Sequence, residues 1–319
     1  MENKNKNNNN NINESKTQKN TNNHKNNSRK VSFSYETLWK SIIRPKRDEY
    51  SEDDLGLDSF KIKQKHFSRK NYIILGTNGN ILKCTFYKLD EIDRKTLSIP
   101  IIIYLHGNCG SRTDSMKYIR KILENEINLF CFDFAGCGKS EGEYISLGFH
   151  EAEDLRIVID FIKKLPHVGK IGLWGHSMGA ATAVLYAPTD NRVNCCCVDS
   201  SFSDFSLLSK ELTDKIIHLP NFIYSTAISF VKKTVIKKNG LDIDNLKPID
   251  KVENIKVPIF FVHGTKDELI DFKQTIALFE KCKSAQKYIN LFEGGHNTRR
   301  SKELVEKIMS FFKECLYKN

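Results

Sequence analysis

The chain has 319 residues and a mass of 36.8 kDa, enough for one large domain or two small ones around a sizeable core. Only 39% of it is hydrophobic, low for a chain folded throughout, and no run approaches the roughly 18 consecutive apolar residues of a membrane span, which excludes an integral membrane protein of the helical kind. The net charge is +11, but residues 1–30 hold seven basic and two acidic residues; the remainder is mildly basic and lacks the clustered, aromatic-supported basic face of a nucleic-acid binder.

Residues 1–30 contain thirteen asparagines, no aromatic residue and one branched aliphatic, Ile12. Such a tract cannot bury enough apolar surface to offset its ordering entropy, so it reads as a disordered Asn/Lys-rich tail. It has no apolar signal core and no glycine at position 2, and the closing Leu-Tyr-Lys-Asn is no prenylation box. Residues 31–60 read as an N-terminal helix and connector. The helix, over 33–43, carries Phe33, Leu38, Trp39, Ile42 and Ile43, and Arg44-Pro45 ends it because the residue before proline avoids helical angles. Packing on the domain and weak peripheral membrane contact both suit those side chains.

From residue 61 to the C-terminus the pattern alternates. Strands are predicted at 71–76, 80–88, 99–105, 128–134, 170–175, 193–199, 257–263 and 287–292, and helices at 113–124, 149–164, 178–187, 272–282 and 301–317. Runs such as Ile101-Ile-Ile-Tyr-Leu105 and Ile259-Phe-Phe-Val262 mark strands covered on both faces, as in a parallel sheet wrapped by helices. Two hairpin-like strands followed by βα units give an open α/β sheet. Between the strand ending near Asp199 and that starting at Val257, an apolar helical stretch interrupts the rhythm; a lid insertion at about 201–256 is expected.

The nine cysteines include the run Cys195-Cys196-Cys197 and form no C-x-x-C pair. They read as free thiols of a reducing compartment, with the triple run filling a buried strand; a cytoplasmic location is expected and no metal site is.

Chemistry centres on Gly175-His-Ser-Met-Gly179, a G-x-S-x-G segment between a strand and an Ala-rich helix. The chain must turn within about two residues, glycines remove side chains that would collide across the turn, and the serine oxygen is left exposed beside a helix N-terminus. Ser177 is the candidate nucleophile. Its hydroxyl needs a base, and His296, in Gly294-Gly-His after the last strand, is best placed of the nine histidines; His106, His176 and His263, each beside a glycine at a strand end, read as structural. The orienting acid is Asp267, just past the penultimate strand, with Asp199 as runner-up. Backbone N–H groups of Met178 and Asn108 are the candidate oxyanion donors, Cys109 being the alternative to Asn108. Gly138-Lys-Ser140 ends like a phosphate loop, but Asp133 stands where that loop needs glycine, and Glu141 breaks the dinucleotide pattern. No cofactor is implied.

Four ordered motifs, His106-Gly-Asn-Cys-Gly, Asp133-Phe-Ala-Gly-Cys-Gly-Lys-Ser, Gly175-His-Ser-Met-Gly, and His263-Gly-Thr-Lys-Asp with Gly294-Gly-His, make residues 70–318 resemble an α/β-hydrolase-fold serine hydrolase. Within that fold the chain is similar to the serine-aminopeptidase-like group, which includes monoacylglycerol lipases. The resemblance implies an ester hydrolase working through an acyl-enzyme on a small-molecule or lipid-like ester, without metal or cofactor. The His-Gly-Asn loop is similar to that of protein depalmitoylases, which makes an acyl-protein or acyl-carrier thioesterase the alternative; those enzymes carry an N-terminal cysteine cluster, whereas the first cysteine here is Cys84. A non-catalytic binding protein of the same fold is the remaining reading.

Overall fold

A computed structural model describes residues 35–90, 98–216 and 221–318, so the expected tail over 1–30 lies outside the described residues. Among the described residues nine strands form one sheet: β1 (Ser59–Ile62), β2 (Lys65–Leu75), β3 (Ile81–Leu89), β4 (Ile99–Leu105), β5 (Asn128–Phe132), β6 (Val168–His176), β7 (Val193–Asp199), β8 (Ile259–Gly264) and β9 (Lys287–Phe292). Their spatial order is β1-β2-β3-β5-β4-β6-β7-β8-β9. The pairs from β5 to β9 are all parallel, while β1, β2 and β3 form an antiparallel meander joined to β5. The sheet is therefore mostly parallel. It has one strand more than the sequence pattern gave, and β2 begins six residues earlier than read, at Lys65 rather than 71.

Eight α-helices are described: α1 (Tyr35–Ile43), α2 (Met116–Glu124), α3 (Phe149–Ile162), α4 (Met178–Tyr186), α5 (Phe205–Ile216), α6 (Asn221–Asn239), α7 (Phe272–Lys281) and α8 (Lys302–Tyr317). The central strands are buried on both faces, and successive residues point to opposite cores. Ile101, Ile103 and Leu105 of β4 join the core under α3, α4 and α7; Ile102 and Tyr104 join the core under α2 and α8. Cys196 faces the first core, Cys195 and Cys197 the second, and all three are fully buried, as small strand-filling residues should be. α1 packs through Trp39 and Ile43 into the first core and against α6. α5 and α6 form the helical insertion between β7 and β8, the position expected of a lid. No described helix is long and apolar enough to cross a membrane.

The strand order reverses at β4, which lies between β5 and β6. In open α/β sheets the crevice outside the carboxyl ends of strands at such a switch is where ligands bind. The loops after β4 and β6 open there, and the connector from Pro45 to Tyr50 ties down the loops after β4 and β5: Ser111 donates to Asp48 at 2.6 Å and Tyr50 to Asp133 at 2.6 Å.

Candidate active site

Ser177 follows β6 directly and precedes α4. Its backbone sits at φ 55°, ψ −117°, outside the regions that residues with side chains favour. The strain persists because its surroundings fix it. Ser177 N–H donates to the carbonyl of Asp199 at 2.9 Å, and its own carbonyl accepts from Ala181 N–H as α4 begins. Gly175 and Gly179 are obligatory here: a Cβ on Gly175 would lie 2.2 Å from the Gly179 carbonyl oxygen, and one on Gly179 would lie 2.1 Å from that of Leu105. The helix start is thus pressed against the end of β4, which is why the motif needs glycine on both sides of the serine.

The other two residues reach Ser177 along the same carboxyl edge, from the β8–β9 end of the sheet. The loop after β8 carries Asp267 and the loop after β9 carries His296. The two loops meet backbone to backbone, with Lys266 N–H donating to the Gly294 carbonyl at 2.9 Å and Thr265 N–H to that of Phe292 at 2.8 Å. A Cβ on Gly264 would lie 2.2 Å from the Gly294 oxygen, so only glycine permits the approach. His296 Nε2 lies 2.9 Å from Ser177 Oγ and its Nδ1 lies 2.7 Å from Asp267 Oδ2. An ionised carboxylate only accepts, so Nδ1 carries the proton and Nε2 is left to take one from the serine.

Asp267 is fully engaged. Oδ1 accepts the N–H groups of Leu269 and Ile270, each at 2.9 Å; Oδ2 accepts from His296 and also from His263 Nε2 at 3.1 Å. Burial alone would raise its pKa, but the bonds from His263, His296 and Ile270 outweigh that and hold it below the usual carboxylate range. His263, read from the sequence as structural, is thus a second donor to the Asp267 carboxylate; Thr275 Oγ1 lies 2.6 Å from its Nδ1 and fixes the ring. Asp199, the runner-up acid, is bound by Arg300, while His296 Nδ1 pairs with Asp267 instead.

The loop after β4 lies against the serine: the Cβ position of Gly107 is 3.5 Å from Ser177 Cβ. His106 is buried, receives Phe134 N–H on Nε2 at 3.1 Å, and so donates from Nδ1 to the Gly107 carbonyl at 2.7 Å. Gly110 N–H donates to the same carbonyl at 3.0 Å. In a trans peptide the N–H points opposite to the C=O, so the grip on Gly107 turns Asn108 N–H the other way. Met178, first residue of α4, has no acceptor for its N–H within the helix. Among the described residues neither amide donates to a protein group. Cys109 is exposed.

His176 packs beside His296, ring centroids 5.0 Å apart, and burial pushes its pKa down to about 3, more than the neighbouring Asp199 raises it. The Gly136-Cys-Gly138-Lys-Ser segment is a turn stapled to Asp133, whose carboxylate accepts N–H bonds from Arg112 and Lys139. Lys139 N–H of the turn and Arg112 N–H of the loop after β4 thus occupy one carboxylate oxygen each. Among the described residues no group of three or more His, Cys, Asp or Glu is arranged to hold a metal ion.

Sheet order, strained serine turn and the meeting of the three loops are those of the α/β-hydrolase fold, and this chain has that fold. A family model described as the alpha/beta hydrolase fold matches residues 100–236. The uncharacterized protein YqkD of Bacillus subtilis is 30% identical over 199 residues, which span 61% of this chain and 64% of that protein. The alpha/beta hydrolase domain-containing protein 17C of Xenopus laevis is 25% identical over 69% of this chain and 61% of its own length. The chain therefore matches just under two-thirds of these relatives. Among solved structures, the Pyrococcus furiosus esterase Pf2001 superimposes with a TM-score of 0.65 at 22% identity, covering 86% of this chain and 97% of that one.

Proposed function

We propose that the protein is a serine hydrolase that cleaves carboxylic esters through an acyl-enzyme, with Ser177 as nucleophile, His296 as base, Asp267 as orienting acid, and the N–H groups of Asn108 and Met178 as oxyanion donors. The observation that carries the reading is the unbroken hydrogen-bond chain from Ser177 Oγ through His296 to Asp267.

As Ser177 Oγ attacks the ester carbonyl, its proton passes to His296 Nε2. The imidazolium that results is stabilised by Asp267, which His263 and two backbone amides keep ionised and in place. Negative charge on the carbonyl oxygen falls toward the two amides and the N-terminus of α4. His296 then gives its proton to the departing alcohol. A water molecule, deprotonated by His296, attacks the acyl-enzyme and returns Ser177 with release of the acid.

A lipid-like acyl group is the substrate class we favour. It is supported by the apolar character of the insertion, where Leu207 and Phe230 are exposed, and by Leu269 exposed beside Asp267. Weak peripheral membrane contact fits the same surface, and a cytoplasmic location fits the cysteine usage. The test is hydrolysis of p-nitrophenyl esters of increasing acyl length against matched acyl thioesters. Faster turnover of medium or long esters is expected. A preference for thioesters would move the assignment to a thioesterase, and no turnover of either would refute it.

A further inference from the structure

The loop that carries His296 has an anchor outside the Ser177–His296–Asp267 chain. Arg300 lies four residues beyond His296 and is 5% exposed. Its guanidinium makes two bonds to Asp199, Nε to Oδ2 at 2.9 Å and Nη2 to Oδ1 at 2.7 Å. Nη2 also reaches Ser200 Oγ at 3.2 Å and the backbone carbonyl of His296 at 3.2 Å, while Nη1 donates to the carbonyl of Thr298. The cation lies 4.6 Å from the ring centroid of Phe292, where β9 ends. One side chain thus grips both ends of the loop and the carbonyl of the base residue itself.

Asp199, 1% exposed at the end of β7, is the other half. Its backbone carbonyl accepts Ser177 N–H at 2.9 Å, and its carboxylate holds Arg300. A single residue therefore touches the nucleophile through its main chain and the base loop through its side chain. The connection matters because β9 is the sheet's edge strand, three places from β6. The Arg300–Asp199 pair joins the loop after β9 to the end of β7, bypassing β8, and the main chain of Asp199 carries the link on to Ser177.

Burial of two charges is expensive, and their attraction does not always recover the loss, so stability alone is a poor reason for such a pair. A planar fork on a carboxylate does something an apolar contact cannot: it fixes direction as well as distance. We propose that Arg300 and Asp199 form a brace that sets His296 relative to Ser177, making Arg300 a positioning residue for turnover; the proposal rests on the hydrolase reading above. A misplacement of about 1 Å at such a site lowers turnover on the order of 10²-fold.

The test measures kcat and KM with p-nitrophenyl butyrate, the rate of fluorophosphonate labelling and the melting temperature. The proteins are wild type, Arg300→Met, Arg300→Lys and the double variant Asp199→Leu/Arg300→Met. The brace predicts that Arg300→Met lowers kcat about 10²-fold with KM within about threefold. Arg300→Lys keeps a cation beside Asp199 without the fork, so its kcat falls in between. The double variant replaces the ion pair by apolar groups, a change that often restores stability; its melting temperature should return toward wild type while kcat stays low. If kcat returns with the melting temperature, the pair is merely structural and the proposal is wrong. If Arg300→Met does not fold, the lysine and double variants decide by the same criteria. Wild-type protein that neither labels nor turns over the ester would defeat the hydrolase reading and the brace together. A wild type that labels, with labelling and kcat undiminished in Arg300→Lys and the double variant, would defeat the brace alone.

Discussion

Gly179→Ala adds one methyl group at the tightest contact in the site. The new Cβ would stand 2.1 Å from the Leu105 carbonyl oxygen, 2.4 Å from its carbon and 2.8 Å from the His106 carbonyl oxygen. Side-chain carbons are essentially never found closer than 3.0 Å to such atoms, so the start of α4 and the end of β4 must separate by about 0.9 Å. All three neighbours are backbone, and β4 is held on both sides by β5 and β6, so no rotamer change relieves the contact. The two proposed oxyanion donors stand on either side of it, Met178 on α4 and Asn108 beyond β4. Separation takes one amide out of reach of an oxyanion the other still holds. Loss of one such donor lowers kcat by roughly 10²–10³-fold, while overpacking costs about 1–3 kcal/mol of stability. Steady-state kinetics on a p-nitrophenyl ester, with circular dichroism to establish folding, should show kcat down about 10²-fold and KM little changed. A folded Gly179→Ala protein with kcat within about threefold of wild type would refute the steric argument and the donor assignment built on it.

Other outcomes follow from the same geometry. Asp267→Asn leaves the bonds from Leu269 and Ile270 but presents an amide to His296, favouring the wrong tautomer; kcat should fall on the order of 10⁴-fold, and a drop below tenfold would point to another acid. His106→Ala frees the Gly107 carbonyl, so kcat should fall about 10-fold or more at near-constant KM; unchanged kcat would mean that Gly110 alone orients the peptide. His176 supplies a pH signature. Its folded pKa of about 3 lies below the ordinary value near 6.5, so the unfolded chain takes up a proton first, and stability is lost as pH falls from about 6.5 toward 3. Between pH 7 and 5 that amounts to about 2 kcal/mol. His176→Gln should shrink the pH 7-to-5 difference in urea-unfolding free energy by about that much, and an unchanged difference would show that His176 protonates freely in the folded state.

Much of this architecture was legible in the sequence because burial on both faces writes continuous apolar runs: β4, β5 and β8 stand out for that reason. β1 and the first half of β2 did not. Ser59-Phe-Lys-Ile and Lys65-His-Phe-Ser-Arg-Lys form a half-exposed hairpin at the sheet edge, where charged residues dilute the pattern and the Phe60–Phe67 stack does the packing. Ser177, Asp267 and His296 could be singled out because each follows a strand on one edge of a parallel sheet. The contacts of His263 and Arg300 could not. His263 stands in the same short motif as Asp267, but spacing alone does not show the turn that brings its Nε2 onto the carboxylate, and Arg300 meets Asp199 across 101 positions of sequence, with no local pattern to mark it. Asp199 was a fair rival to Asp267 by position alone; its capture by Arg300 is a tertiary fact.

Covalent labelling of the purified full chain with a fluorophosphonate, followed by mass spectrometry of the modified peptide, tests directly whether Ser177 is an activated nucleophile. A single adduct on Ser177 is expected, lost in Ser177→Ala and slowed by orders of magnitude in His296→Ala. Folded wild-type protein that takes no label, or takes it on another residue, would contradict it.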